Sequence, residues 1–324
     1  MPGSSISLIP PGTGGVQDYA FVVGGPLHAP PLEMRPTTDS STWSGDLLLL
    51  HFSGFGFQKR GVPLWLVRRI HRLRERYKAF GIVFHELYAF GPPWRSSFWL
   101  HGIQKQIARE LVSVADFWLT NRDESARWLL EQHEGAPHRV LPVFSNVGEL
   151  TSVETQRHPR LVVFGSAGVR ANVYRWGDGQ IFHWARKSGL AIHDIGPQSQ
   201  DPALLKRFSQ EGVVVHGKLS AEQVSAELAA AMCGALAYPT DYVSKSGVFA
   251  AYCAHGICPV LLSKEYGSYD GLAANVHYAP GFDALDVSKS DTRTIGRAAH
   301  RWYEPHRVDA HVAALQALVS EVSQ

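Results

Sequence analysis

The stretch Gly81-Ile82-Val83-Phe84-His85-Glu86-Leu87-Tyr88-Ala89-Phe90-Gly91-Pro92-Pro93-Trp94-Arg95, closed after a long helical segment by Ala115-Asp116-Phe117-Trp118-Leu119-Thr120-Asn121, decides the fold. Gly81 to Phe84 is a short apolar run and reads as a buried strand. His85 and Glu86 then stand at its carboxyl end, the edge of an open α/β sheet where ligands bind. The following loop carries Gly, two Pro, Trp and Arg, so it is a shaped loop. Ile103, Ile107, Leu111 and Val114 recur at helical spacing, and Phe117 to Thr120 reads as the next strand.

The same alternation runs outward in both directions. Ser5 to Ile9 reads as a first strand, followed by Pro10-Pro11-Gly12-Thr13-Gly14-Gly15 and a helix. Asp46 to Phe52 reads as another strand, leading to Gly54-Phe55-Gly56-Phe57. Leu66, Ile70, Leu73 and Tyr77 form a helical apolar stripe, and Asp123 to Gln132 reads as a helix. Glu149 to Arg160 is polar, lacks periodicity and reads as a linker. A second series opens at Leu161-Val162-Val163-Phe164-Gly165, with further strands expected at Ala191–Ile195, Val213–His216, Ala235–Tyr238 and Cys258–Leu262. Ser220 and Gln223 have the spacing of a capping box. Ile295 to Trp302 and Val308 to Val322 read as helices. Repeated βα units imply mostly parallel sheets. The expected fold class is α/β, two Rossmann-like domains facing each other across a cleft, spanning 1–153 and 154–303, with a last helix over about 304–324 crossing back to the first.

Composition narrows the function classes. The chain has 324 residues, 45% hydrophobic and 19% charged, the balance of a folded soluble protein. A net charge of +2 gives no argument for nucleic acid. Cys233, Cys253 and Cys258 form no CxxC pair and sit in apolar company, so they read as reduced core residues. No run approaches the ~20 apolar residues of a membrane span, and the amino terminus lacks the pattern of a signal peptide. A cytoplasmic location is expected. No HExxH, Cys/His cluster or Asp-x-Asp points to a metal, and no Gly-x-Ser-x-Gly marks a nucleophilic serine.

Several loops carry candidate chemistry. Gly12-Thr13-Gly14-Gly15 lets the backbone approach a phosphate or sugar at a helix amino terminus, and serves equally as a tight turn. It is not a full GxGxxG. Ser53 to Pro63 is a second glycine-bearing loop with a basic tip, Lys59-Arg60. Arg68, Arg69, Arg72, Arg74, Arg76 and Lys78 crowd one helix over 64–78, either a solvated face or a contact for anionic lipid at the inner membrane face. His85 has a pKa near working pH and suits a general base or a sugar-hydroxyl contact. Glu86 either caps the next segment or binds Arg95. Gly165 to Arg170 forms a cradle for phosphate, with Arg175 as a nearby alternative. Ser244, Lys245, Ser246 and Gly247 stand where a strand gives way to a helix amino terminus, and lysine adds a full charge to the backbone donors. That segment is the strongest anion site in the sequence.

Together these residues resemble the family-four class of GT-B glycosyltransferases, over most of the chain. Gly14 to Tyr19 is similar to its first glycine loop, and Lys59 to Pro63 to a loop of bacterial members. His85–Arg95 and Ala115–Asn121 are the most specific pieces. His216-Gly217-Lys218-Leu219 and the helix after it resemble the segment that seats the nucleotide base. Tyr238-Pro239 through Gly256 and Pro259-Val260 resemble the donor-phosphate and ribose segment. Trp302-Tyr303 and the last helix resemble the tail that crosses back.

The resemblance implies transfer of a sugar from a UDP- or GDP-type donor, without metal or other cofactor, to a sugar, lipid-linked or protein acceptor in glycoconjugate synthesis. It implies that Gly14, Gly15, Arg170, Ser244, Lys245, Ser246 and Gly247 hold the diphosphate and that Lys218 and Leu219 contact the base. It also implies that His85 is catalytic and that Glu86 and Arg95 line the acceptor side. One departure stands out: the two Glu residues, separated by seven positions, that many members carry correspond here to Val243 and Ala251. A non-catalytic GT-B subunit would explain that loss, and a sugar-nucleotide epimerase shares the twin-Rossmann shape. A nicotinamide oxidoreductase would need the missing dinucleotide fingerprint.

Overall fold

The computed structural model describes residues 5–89, 94, 96–153, 156–287 and 291–323. The chain divides into two compact units, residues 1–142 with 308–324, and residues 143–307.

In the first unit the strands are β1 (Ser5–Ile9), β2 (Pro31–Glu33), β3 (Gly45–Ser53), β4 (Tyr77–Glu86), β5 (Phe117–Thr120) and β6 (His138–Val140). Its helices are α1 (Gly15–Gly24), α2 (Gly54–Phe57), α3 (Leu64–Arg74), α4 (Ser96–Ser113) and α5 (Asp123–Gln132). The sheet has the order β2-β1-β3-β4-β5-β6 and every pairing is parallel. β3 and β4 are central and apolar on both faces, as covered parallel strands require. Leu48, Leu50, Phe80, Ile82, Leu111 and Trp118 are fully buried in the core beneath the helices.

The second unit contains β7 (His158–Phe164), β8 (Ala191–Ile195), β9 (Val214–Gly217), β10 (Ala231–Ala237), β11 (Cys258–Leu262) and β12 (Ala279–Pro280). Its helices are α6 (Ala167–Arg175), α7 (Gln180–Lys187), α8 (Pro202–Glu211), α9 (Ala221–Ala230), α10 (Gly247–Ala254) and α11 (Asp291–Tyr303). The order is β12-β11-β10-β7-β8-β9, again all parallel. Cys233 and Cys258, register partners at the heart of this sheet, are buried thiols, as is Cys253. The last helix, α12 (Val308–Val322), belongs to the first unit.

Three expectations need correction. The basic helix stops at Arg74, and Tyr77 and Lys78 already lie in β4. Arg74 reaches the Tyr77 carbonyl (2.9 Å) and Asp116 (2.6 Å), so the turn is closed by its own side chain. Arg76 and Lys78 are held by the Ser41 carbonyl (2.6 Å) and Asp46 (2.8 Å), leaving Arg68, His71 and Arg72 on the exposed side of α3. The polar stretch 149–160 is tied into the second unit: Arg157 donates to the carbonyls of Ala231 (2.9 Å) and His255 (2.7 Å). Its polarity serves buried backbone acceptors that periodicity does not reveal. β10 starts at Ala231, directly after α9, because the small residues there fit either state.

Among the described residues, no helix is long and apolar enough to cross a membrane.

Candidate functional site

Each sheet changes direction once. β1 sends its next two strands to opposite sides, so the first sheet reverses between β1 and β3. β7 lies between β8 and β10, which places the reversal of the second sheet between β7 and β10. Loops diverge at such points and leave a crevice at the carboxyl ends of the strands. The candidate residues lie around these two crevices: Gly14, Gly15, His85 and Glu86 in the first unit, and Gly165–Arg170 with Ser244–Gly247 in the second.

In the first unit Gly14 and Gly15 open α1. No side chain caps this helix, and a Cβ at Gly15 would meet nothing within 4 Å. Gln17 braces the loop from below through the Pro10 carbonyl (2.8 Å). His85 ends β4 and is 9% exposed. Its Nε2 lies 3.3 Å from Nδ1 of His51 on β3, and the two rings stack at 5.6 Å. Tyr19 of α1 meets the His85 ring edge-on at 5.0 Å. Burial pushes the Tyr19 hydroxyl up, so it stays protonated and donates to His311 Nδ1 (2.8 Å). His311 then donates through Nε2 to the Pro142 carbonyl (2.9 Å). His51 is fully buried and held neutral, by desolvation first and by His85 second, and its Nε2 has no partner. Glu86 accepts from Ser53 Oγ (3.1 Å). The calls on Arg95 and on the loop over 90–93 lie outside the described residues.

Much of the opening signature is scaffold. Asp116 accepts from the Phe80 amide (2.7 Å) and Arg74, locking the start of β5 to β4. Thr120 Oγ1 donates to the Phe84 carbonyl (3.2 Å) and Asn121 Nδ2 to that of His85 (3.5 Å). Gln104 of α4 is a residue that sequence reasoning missed. It accepts from the Ala89 amide (2.9 Å) and donates to the Arg60 carbonyl (3.0 Å), joining the loop after β4 to the Ser53–Pro63 loop. His51 was missed too; a lone polar residue inside the run Leu47 to Phe52 was its signal.

In the second unit the expectation for Arg170 is corrected. Its side chain is 3% exposed and pairs with Asp194 (2.9 Å), while its other nitrogens donate to the carbonyls of Gly165 (2.5 Å) and Pro197 (2.5 Å). Tyr174 donates to the same carboxylate (2.9 Å). Arg170 therefore fastens the loop after β7 to the end of β8 through bonds from each of its three side-chain nitrogens. Arg175, the alternative, is exposed and pairs with Asp201 (2.7 Å).

The loop after β10 is a 3-10 turn over Thr240–Lys245. Ser244 donates to Asp270 (2.5 Å), and Ser246 caps α10 by accepting from Phe249 N (3.3 Å). The Lys245 ammonium lies 5.1 Å from the centre of the Tyr242 ring. Gly247 leaves open space where a Cβ would stand. Val243 and Ala251 are buried, at 1% and 0% exposure. Lys218 is exposed and Leu219 half-buried in the turn between β9 and α9, and the capping box of Ser220 and Gln223 is formed on both sides.

No protein-family model matches the chain, and neither does any curated protein. Solved structures do. Anabaena HepE, solved in complex with UDP and glucose, superposes with a TM-score of 0.58 at 11% identity, over 99% of this chain and 100% of that one. The fold is GT-B. An alpha-glucosyltransferase solved with UDP and a 13-mer DNA gives a TM-score of 0.55 at 10% identity over the full length of both chains. The pneumococcal O-GlcNAc transferase GtfA, solved with UDP and GlcNAc, gives 0.55 at 11% identity; the match takes in 86% of this chain but only 57% of GtfA. This chain spans a little over half of GtfA, and 54% of TarM. Within the GT-B fold, the two switch-point crevices are the positions that the residues described above surround.

Proposed function

We propose that this protein is a nucleotide-sugar glycosyltransferase of the family-four kind. The observation that carries the reading is the placement of the anion-seeking loop Thr240–Gly247 at the switch point of the second sheet, in a fold that matches HepE from end to end. The second unit is read as the donor domain, with the base against Lys218 and Leu219 and the diphosphate against Lys245, the Gly247 amide and the amide-rich start of α6. The first unit is read as the acceptor domain, entered past Gly14 and Gly15. As the glycosidic bond breaks, charge grows on the leaving diphosphate, and preorganised amides with one lysine stabilise it there without a metal. His85 is assigned to a sugar hydroxyl. Gln104 would set the loop beside it. Retention at the anomeric carbon is expected. The exposed Arg68 and Arg72 would face an anionic membrane surface on the cytoplasmic side if the acceptor is lipid-linked.

A second reading has its own support. Val243 and Ala251 are buried where the resemblance places ribose- and sugar-binding glutamates, and a subunit that binds donor without turnover would need neither. One experiment separates the two. A thermal-shift series with UDP- and GDP-sugars is expected to raise Tm for one nucleotide class, since a ligand of the folded state stabilises it. Transfer from that donor, followed by NMR of the product, should fall about 100-fold or more in His85→Ala with nucleotide affinity retained. No Tm rise with any donor overturns both readings, and a rise without turnover selects the second.

A further inference from the structure

The three-residue cluster His193, His216 and Glu227 adjoins the segment from His216 to Leu219, and none of the roles assigned above uses it. His193 lies in the middle of β8, His216 near the end of β9, and Glu227 on α9, which packs on β7 and β10. Ser220 to Glu227 spans about 10 Å along the helix axis, so Glu227 stands about two turns into α9. His193 Nδ1 is 3.2 Å from Glu227 Oε2 and 3.0 Å from His216 Nε2, and the His216–Glu227 separation is 3.9 Å. Three ligating atoms thus converge within 4.8 Å of one another. Around a tetrahedral zinc ion with bonds of 2.0–2.2 Å, ligand atoms stand about 3.3–3.5 Å apart. The observed triangle brackets that spacing and needs only side-chain adjustment of a few tenths of an ångström to reach it.

The hydrogen-bond geometry points the same way. His193 Nδ1 carries at most one proton, yet it faces both the Glu227 carboxylate and His216 Nε2, so one of the two contacts is left without a proton between its atoms. Arg160 NH1 reaches Glu227 Oε2 at 3.1 Å from the side and supplies part of the charge that the site lacks.

We propose that His193, His216 and Glu227 form a binding site for a divalent transition-metal ion of the zinc type, with the fourth position open to water. Two imidazoles favour zinc or a neighbouring transition metal over magnesium or calcium. Bound there, the ion would tie β8, β9 and α9 together two residues before Lys218, and so hold the turn between β9 and α9. The site does not depend on the glycosyl-transfer reading. The ligands come from three separate elements, so no local motif in the sequence announces them.

The test is equilibrium dialysis of the chelator-treated full chain against zinc, with cobalt as a spectroscopic probe of coordination. The wild type is expected to bind one equivalent more than His216→Ala, with its Tm raised by zinc and that of the variant unmoved. Affinity should fall by more than the roughly 10–100-fold that loss of an outer-shell partner costs. Glu227→Gln keeps the shape of the side chain and covers the case in which His216→Ala does not fold. Arg160→Gln removes the competing cation and should tighten binding several-fold. Equal zinc uptake by wild type and Glu227→Gln, or weaker uptake by Arg160→Gln, overturns the proposal.

Discussion

Arg170 shows how little a position in sequence says of a side chain's partners. In sequence it stands in the first βα loop of the second unit, where a cation meets a phosphate. In the fold it lies under that loop, paired with Asp194, and burial pushes the Asp194 carboxyl up against the pull of Arg170 and Tyr174. Position was legible; direction was not, because sequence does not say whether a side chain points into the loop or out of it. Arg170→Met should cost about 3–5 kcal/mol in urea unfolding, since it strands a buried carboxylate. Nucleotide affinity, measured where the variant is still folded, should stay within about twofold. A tenfold loss of affinity with stability unchanged would return Arg170 to the phosphate. His85 was legible for the opposite reason: the strand end fixes its place, whatever its partner. Its partner, His51, came from a different strand and stayed hidden.

Elements were read better than residues, because apolar runs and caps are local signals. β1, β8, β11, α5 and α12 have the bounds that the sequence suggested, and the capping box at Ser220 is formed. β2, β6 and β12, with 3, 3 and 2 residues, are too short to carry a period. The neighbouring strands β4 and β5 also carry a constraint that no pattern reveals. Gly81 is the register partner of Phe117, and a Cβ there would lie 2.1 Å from a ring carbon. The glycine is present so that the Phe117 ring can lie flat across the neighbouring strand. Gly81→Ala should therefore destabilise by about 1–3 kcal/mol through overpacking. Denaturant midpoints of wild type and variant check it, and Gly81→Ala/Phe117→Leu should recover part of the loss.

At the scale of the molecule, the paired Rossmann-like units were legible from the second start at Leu161; the compact units divide after residue 142 and again after 307, where the sequence reading placed the passages after 153 and 303. The second unit is inserted into the first: residues 143–307 intervene between β6 and α12. α12 then supplies His311, the acceptor for the buried Tyr19 hydroxyl beside His85. This has a consequence for biogenesis. Tyr19 leaves the ribosome almost three hundred residues before the histidine that satisfies it, so the first unit must wait, incompletely packed, while the second is made and free to fold. The second unit is expected to reach its native protection first, and the first to be the one most dependent on chaperones. Removal of residues 308–324 should accordingly lower the stability of the first unit and leave that of the second in place. Hydrogen exchange on the truncated chain, with fast exchange in β1 and α1 and slow exchange in β7 and β10, would check it.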